Sequence, residues 1–377
     1  MNCCICSRDY ITFQNIRFID GLNFGLELSA CSYVDVLDCE MDGCGNDNVI
    51  VDGADHVNIA RITSTNAYER VAGPAITCIE IIDGSHDVEF YNSVLSGSEN
   101  YGLSIHSHAA ETFPYNISVH NISSTNNDEH GIHIAKHDVG VIGDRNVRIF
   151  DCDFSDNTKS GVIVRSPGGQ RMPDIVMSNC IATGNVEYPL NIIQDGDITL
   201  YRCVFGGDWP NYINDAGNVV IHNCTFYRPA AATIVLTVLV AVVSLEVRNC
   251  IFYNDGATII RVDPVANIDM DYNLYYCTGA NPVTGVCYKW GGGAWANWAG
   301  WKAASGQDAN SPTPADPLFQ DVANDLFYLQ HGSPALHVGT PLAGYSFYGD
   351  APDCGRWEMR WPSTRTHRLL MPAWRYE

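Results

Sequence analysis

Histidine, basic and carboxylate side chains that could carry chemistry are frequent between residues 80 and 194 of this 377-residue sequence. A base placed beside a fixed cation suits the removal of a proton next to a carboxylate. The cation stabilises the negative charge that develops as the proton leaves. The candidate residues are Glu80, Asp83, His106, His108, His133, Lys136, His137, Asp138, Arg165 and Gln194.

This combination matches β-elimination on a uronic acid, in which a base takes the C5 proton of the sugar. Lys136 is the preferred base, and His137 or His133 is the competitor. Arg165 would hold the sugar carboxylate, because the planar guanidinium makes two parallel hydrogen bonds to a carboxylate. Together these four residues are the predicted catalytic set.

The remaining candidates are predicted to bind substrate or a metal ion. The predicted substrate-binding residues are Glu80, His106, His108 and Gln194. Asp83 and Asp138 are predicted Ca²⁺ ligands, because calcium prefers carboxylate oxygens. An inverting hydrolase remains an alternative, since Glu80 with Asp83 or Asp138 would suffice if the two carboxylates lay about 6.5–9.5 Å apart.

A repeated segment must position these side chains. Residues 146–252 contain five copies of a short strand with alternating apolar residues, followed by a polar corner and a cysteine, as in Val147-Arg-Ile149-Phe-Asp-Cys152. Such a repeat indicates stacked structural units. Copies begin near Asp9, Ser32, His56, His86, Tyr115, Arg145, Asp174, Asp197, Asn218, Ser244 and Asn267.

Alternation along the strands predicts which side chains point outward. If Ile132 and Ile134 face the core, then His133 faces out. The same alternation places the following side chains outward: Glu80, Ser104, His106 and Arg165. The four intervals from His56 to Asp174 are about six residues longer than most others, and we expect the extra residues to form loops on the binding face.

The repeat resembles the right-handed parallel β-helix of the pectate-lyase type over roughly residues 9–275. Asparagines share one corner position, like the asparagine ladders common in that fold: Asn92, Asn121, Asn179, Asn223 and Asn249. The resemblance implies an all-β, right-handed parallel β-helix of about eleven turns. In β-helix lyases of the alginate and chondroitin type, a Lys and an Arg occupy neighbouring turns, and Lys136 and Arg165 are similar in arrangement.

The chain divides into three predicted regions. Residues 1–275 form the β-helix, and residues 276–358 form an irregular cap rich in aromatic residues and glycine that covers its open end. Residues 359–377 form a tail. A tryptophan cluster at residues 290–301 is interpreted as part of the cap, with stacking on sugar rings as the alternative.

Cysteines fall into two groups. One group recurs at an equivalent repeat position and should form a buried column of free thiols: Cys39, Cys152, Cys180, Cys203, Cys224 and Cys250. Cys277, Cys287 and Cys354 lie outside this column and are the better candidates for disulfide formation.

Charge and composition restrict the partners. The formal net charge is −22, from 21 basic and 43 acidic residues, which argues against nucleic acid as a ligand. Residues 230–245 are apolar but too short for a spanning helix, so we predict a buried strand and no membrane partner. No signal segment is visible at the start of the sequence. We expect an extracellular or cell-surface location. The sequence leaves open whether the protein forms a homo-oligomer.

This fold type is shared by lyases, hydrolases, epimerases and non-catalytic adhesins, so fold alone does not decide the reaction. The leading hypothesis is an enzyme that acts on an acidic polysaccharide by β-elimination. The alternatives are a glycoside hydrolase and a non-catalytic glycan-binding module, such as an adhesin or a phage-tail-like β-helix. A groove over three or four turns would span about 15–20 Å, enough for a few sugar units.

Overall fold

The computed structural model describes most of the chain. The described residues are 4–68, 76–108, 111–136, 146–166, 174–193, 196–214, 216–228, 234–239, 242–256, 258–263 and 267–359. Predictions for His137, Asp138 and Gln194 therefore lie outside the described residues, as do most of the expected extra loop residues.

Short strands account for most of the regular structure. In chain order they are β1 (Cys4–Cys6), β2 (Ile11–Gln14), β3 (Arg17–Ile19), β4 (Phe24–Ser29), β5 (Ser32–Leu37), β6 (Glu40–Asp42), β7 (Asp47–Asp52), β8 (Asp55–Ala60), β9 (Thr63–Thr65), β10 (Thr77–Ile82), β11 (His86–Ser96), β12 (Tyr101–Ser107), β13 (Tyr115–Thr125), β14 (His130–Lys136), β15 (Asn146–Phe150), β16 (Val162–Arg165) and β17 (Asp174–Ser178). They continue as β18 (Ile181–Asn185), β19 (Leu190–Ile193), β20 (Ile198–Tyr201), β21 (Val204–Gly207), β22 (Asn211–Asn214), β23 (Asn218–His222), β24 (Thr225–Arg228), β25 (Leu236–Val238), β26 (Ser244–Arg248), β27 (Ile251–Asn254), β28 (Ile260–Val262), β29 (Asn267–Asp271), β30 (Leu274–Cys277), β31 (Tyr288–Trp290), β32 (Phe319–Asp321) and β33 (Leu326–Leu329). The helical elements are α1 (Trp298–Ser305) and the 3₁₀ turn Val322–Asn324.

Successive coils stack their strands in parallel. The first sheet runs β1-β4-β7-β10-β12-β14-β16-β19-β22-β25-β28-β31, so every neighbour comes from the next coil. The second sheet has the main path β2-β5-β8-β11-β13-β15-β17-β20-β23-β26-β29, which is eleven strands within the described part of the chain. A third sheet joins β18, β21, β24, β27 and β30. The all-β fold and the repeat starts predicted from the sequence are confirmed.

Each coil turns a corner at the end of its strand in the second sheet, or within the strand in β11 and β13. The corner residue has a left-handed φ between 51° and 58° in every coil: Asn15, Asp38, Arg61, Asn92, Asn121, Asp151, Asn179, Arg202, Asn223, Asn249 and Tyr272. Asparagine and aspartate tolerate this conformation better than other residues with a side chain. The shared corner position of the five asparagines is therefore a backbone requirement.

A hydrogen-bonded asparagine ladder is found at a different place, inside the coil. The Asn127 side chain donates from Nδ2 to Asn157 Oδ1 at 3.0 Å, and Asn157 donates in turn to Asn185 Oδ1 at 3.2 Å. All three side chains are at most 2% exposed. Gly131 and Gly161 lie beside the ladder, where an added Cβ would come within 2.8 Å of Asn157 Nδ2 and 2.7 Å of Asn185 Nδ2, respectively.

Substitution of Asn157 by alanine is expected to destabilise the fold by about 2–4 kcal/mol, because several buried partners would lose their hydrogen bonds. The Asn157 amide nitrogen also lies 3.0–3.2 Å from the carbonyl oxygens of Ser124, Phe154 and Ser155. Chemical denaturation measures the change, and Asn267→Ala at an exposed position is the matched control. Equal stability of the two variants would contradict the structural role of the ladder.

The core is a continuous stack of inward side chains. The six predicted column cysteines are all buried and have free thiols, so this prediction is confirmed. Each thiol donates to a backbone carbonyl, as Cys203 Sγ does to Tyr201 O at 3.4 Å. Aromatic rings stack in the later coils, with Phe226 5.2 Å from Phe252.

Residues after the last coil pack against two different surfaces of the β-helix. Trp301 of α1 is fully buried against the end of the core, and its Nε1 donates to Asp308 at 2.8 Å. Phe319, Phe327 and Leu329 instead pack on the outer face of the third sheet, in a cluster with Ile251, and Tyr345 stacks on Tyr201 of the second sheet. The capping interpretation of the tryptophan cluster therefore holds for Trp298 and Trp301, which are 5% and 0% exposed.

The structure does not contain the predicted disulfide among its described cysteines, but it does contain the predicted buried strand in the apolar segment. Cys277 and Cys287 are brought together, with the sulfurs 3.3 Å apart, but both are free thiols. Cys354 lies elsewhere, donating to Tyr272 O at 3.0 Å. Within the apolar segment, β25 is a buried strand of the first sheet, as predicted. Among the described residues, no helix is long and apolar enough to cross a membrane.

Candidate functional site

The predicted site residues lie on the outer face of the first sheet. Glu80 of β10, Ser104 of β12 and His133 of β14 occupy one outward row, in direct register. Ile132 and Ile134 belong to the core, so the predicted alternation is confirmed. Strand spacing of about 4.8 Å therefore brings side chains from four coils within contact distance.

A hydrogen-bonded chain begins at Arg165. Arg165 Nε donates to His133 Nε2 at 2.9 Å. Because arginine can only donate, His133 must carry its proton on Nδ1 in this contact. His133 Nδ1 lies 3.4 Å from Ser104 Oγ, which lies 3.0 Å from His106 Nδ1. Ser104 thus accepts from one histidine and donates to the other.

The chain continues to a pair of carboxyl groups. His106 Nε2 lies 3.6 Å from Glu80 Oε1, and Glu80 makes a side-chain hydrogen bond with Asp47 of β7. Thr77 Oγ1 donates to Asp47 Oδ1 at 2.6 Å. We call the seven residues the polar network: Asp47, Thr77, Glu80, Ser104, His106, His133 and Arg165.

Burial controls the protonation of the two carboxyl groups. Asp47 and Glu80 are 3% and 6% exposed. Burial raises the pKa of Asp47 to about 7. Burial, followed by the repulsion from Asp47, raises the pKa of Glu80 well above its ordinary value. Since two adjacent carboxylates resist full ionisation, the pair holds at least one proton at neutral pH.

This pair should make stability depend on pH. A folded-state pKa raised from 3.8 to about 7 for Asp47 means that the folded protein binds the proton more tightly than the unfolded chain. The stabilisation is present at low pH and is lost as the pH rises from the unfolded-state pKa of 3.8 to the folded-state pKa of about 7. Asp47→Asn mimics the protonated acid and should flatten the fall in unfolding free energy between those values. Thermal unfolding across pH measures this, and identical slopes in both proteins would contradict it.

A second group of side chains flanks the polar network. Tyr101 stacks with His130, with ring centroids 5.4 Å apart, and lies 4.3 Å from the His133 ring. Tyr101 also makes a side-chain hydrogen bond with Arg165. Burial lowers the pKa of His130 to about 4, so this imidazole is neutral at pH 7 and accepts from Ser160 N at Nδ1.

Two other predicted residues pair with each other. His108 donates its backbone N–H to Asp83 Oδ1 at 2.7 Å, and His108 Nδ1 lies 2.6 Å from Asp83 Oδ2. Both carboxylate oxygens of Asp83 are therefore engaged. Among the residues that the structure describes, no group of three or more His, Cys, Asp or Glu side chains could hold a metal. The prediction that Asp83 and Asp138 bind calcium stays a prediction.

Lys136, the preferred base, lies at the end of β14. Its side chain is 1% exposed. It follows the alternation of Ile132 and Ile134, which point inward, and it is in register with buried Ser107. This position favours the competing base, His133, whose outward ring lies within the polar network.

Three residues of the site were not predicted from the sequence: Asp47, Tyr101 and His130. The strand β7 was not aligned with β10, so the contact between Asp47 and Glu80 was not visible. Tyr101 and His130 are in register with each other at the start of their strands. Alternation counted back from the buried Leu103 assigns Tyr101 to the inward face, so the pattern gives no signal for its contact with His133. The hydroxyl of Ser104 was placed outward but given no role.

A separate groove lies at the corner between the second and third sheets. It has a volume of about 480 Å³ and is lined by corner and strand residues, including Asn121, Asp151, Asn179 and Arg356. Arg356 closes its end by donating to Asn179 O at 2.8 Å. The histidines of the polar network lie on the other face, so the groove is not part of this site.

Comparison with known proteins agrees with the coil geometry. A family model described as a right handed beta helix region matches residues 137–295. The chain is a right-handed parallel β-helix. The crystal structure of pectate lyase Pel9A is similar with a TM-score of 0.52 at 14% sequence identity, over 88% of this chain and 80% of that chain. At that identity the likeness shows a pectate-lyase-like fold alone. No curated protein matches the sequence.

Proposed function

We propose that this β-helix acts on an acidic polysaccharide by β-elimination at the polar network. The observation that carries the proposal is the hydrogen-bonded chain from Arg165 through His133 and Ser104 to His106, whose Nε2 lies 3.6 Å from Glu80 Oε1. It combines a fixed cation, imidazole bases and a protonated acid on one outward face. These are the three components that elimination next to a carboxylate requires.

Arg165 is the substrate-facing end of the network. It is partly exposed, whereas His133 is 3% exposed. A uronate carboxylate would compete with His133 Nε2 for the guanidinium and bind it through two parallel hydrogen bonds. As the guanidinium turns to the carboxylate, the lone pair of His133 Nε2 is released.

In the proposed reaction, His133 Nε2 takes the C5 proton and the electron pair forms the C4–C5 double bond. The bond between C4 and the glycosidic oxygen breaks, and that oxygen takes a proton. The buried pair of Asp47 and Glu80 would supply this proton, because two adjacent carboxylates resist full ionisation and burial raises the pKa of Glu80. His106 lies between Glu80 and Ser104. The predicted roles of His108 and Gln194 in substrate binding are retained as part of this proposal.

Glycoside hydrolysis is the second candidate, supported by the raised pKa of Glu80. A hydrolase needs two carboxyl groups about 5 Å or more apart, on either side of the scissile bond. Asp47 and Glu80 are hydrogen-bonded to each other, so together they supply one acid rather than two separated groups. This contact argues against Asp47 and Glu80 as the two separated catalytic carboxyl groups of a hydrolase.

A substrate of this type is a polymer outside cells, so we propose an extracellular or cell-surface location for the protein.

Incubation with alginate, pectate and glycosaminoglycans, each with and without calcium, tests the proposal. Elimination creates an unsaturated uronate, whose ultraviolet absorbance should rise with time on one of these polymers. New reducing ends without this absorbance would identify a hydrolase instead. Binding without either signal would identify a non-catalytic glycan-binding protein.

A further inference from the structure

Three aromatic side chains lie together on the coils that follow the polar network. Tyr188 precedes β19, Trp209 precedes β22, and Tyr212 is within β22. Tyr188 meets Trp209 edge to face, with ring centroids 5.2 Å apart, and lies 6.2 Å from Tyr212. Trp209 is 47% exposed despite being the largest type of side chain. We call these three residues the aromatic platform.

The aromatic platform continues the outward row of the polar network. His133 is in register with Ile163, Ile163 with Asn191, and Asn191 with Tyr212. Three strand steps therefore separate His133 from Tyr212, which is about 14 Å. An extended oligosaccharide of a few units that reached both residues would lie across the strands, parallel to the β-helix axis.

Positive charge follows on the same row. Tyr212 is in register with Thr237, Thr237 with Arg261, and Arg261 with Lys289. Arg261 lies 3.2 Å from Asp263, and Lys289 packs 5.7 Å from the centre of the Trp295 ring. In a chain of net charge −22, two consecutive cations on this row are the complement of an anionic ligand.

We infer that the aromatic platform is a sugar-stacking subsite for acidic oligosaccharides, with Arg261 beyond it facing their carboxylates. The open face of Trp209 presents the negative side of its ring to the C–H groups of a pyranose. Edge-to-face packing by Tyr188 holds the indole while leaving a face open. The inference rests on the proposed function for the class of ligand, although binding here does not require that the polar network be catalytic.

Calorimetry with a defined uronic acid hexasaccharide and the matching disaccharide tests the inference on the full chain. Trp209→Ala is expected to weaken hexasaccharide binding roughly 10-fold. Disaccharide binding at Arg165 is expected to be unchanged, because this ligand is too short to reach Trp209. Tyr33→Ala is the matched control, since Tyr33 is also 47% exposed but lies on the second sheet.

Loss of hexasaccharide affinity in Trp209→Ala alone would support the subsite, even if no elimination product is ever detected. Equal affinities of wild type and Trp209→Ala would overturn it, as would an equal loss in Tyr33→Ala. Failure of the wild-type protein to bind any hexasaccharide of alginate, pectate or glycosaminoglycan type would also overturn it. The catalytic proposal is tested separately, by the unsaturated product.

Discussion

Replacement of His133 by glutamine is expected to lower kcat by about 10²–10⁴-fold, the usual contribution of a positioned general base. Glutamine retains a polar side chain that reaches Ser104 and Arg165 but has no basic nitrogen. Arg165, which contacts His133 at 2.9 Å and would hold the substrate carboxylate, is unchanged in this variant. The variant should therefore still bind the substrate, with KM changed much less than kcat. Initial rates of unsaturated product at saturating polymer measure this effect.

The matched control is His86→Gln, a histidine on the second sheet that stacks with Tyr115 at 4.6 Å. It should retain wild-type kcat. A His133→Gln enzyme with wild-type kcat would remove this residue from the base role and return Lys136 to consideration. A parallel Lys136→Ala variant is informative only if it folds, because Lys136 is 1% exposed.

Replacement of Arg165 by lysine is expected to lower kcat/KM by about 10²–10³-fold while retaining the charge. The reason is geometric. A lysine ammonium cannot make the two parallel hydrogen bonds that a guanidinium makes to a carboxylate, and stabilisation of the developing charge is lost in the transition state. Both kcat and KM should change, because the ground-state carboxylate is held by the same group.

Arg148→Lys is the control for this substitution, because Arg148 is exposed on β15 in the second sheet. It should behave as wild type. Retention of full kcat/KM by Arg165→Lys would show that the carboxylate of the substrate is bound elsewhere. Rescue of Arg165→Ala by added guanidinium would further support the role assigned to this side chain.

The coil architecture was predictable because its signals are local. Alternating apolar residues mark each strand, and the residue after it must adopt a left-handed conformation, which favours asparagine and aspartate. The same alternation correctly placed Glu80, His106 and His133 on one outward face. These predictions depend only on counting residues along one strand.

The contacts between coils were harder to predict from the sequence. Asp47 touches Glu80 only because β7 lies beside β10, and the intervening loop length sets that register. Lys136 was predicted as the base from its residue type and its place near Arg165, whereas β14 includes Lys136 and the alternation of that strand turns it inward. A shift of one residue at a strand end reverses the face of a side chain.

The inner asparagine ladder and the aromatic platform were missed for a related reason. Asn127, Asn157 and Asn185 stand at the third corner of the coil, where spacing in the sequence varies from turn to turn. Trp209 and Tyr188 are each outside the strands, so no periodic pattern links them. Their proximity follows from stacking of the coils and is visible only in three dimensions.

A crystal structure of His133→Gln soaked with an acidic oligosaccharide tests the central claim most directly. We expect density along the outer face of the first sheet, with a uronate carboxylate on Arg165 and a sugar ring over Trp209. Oligosaccharide bound instead in the groove lined by Asn121, Asn179 and Arg356 would contradict it.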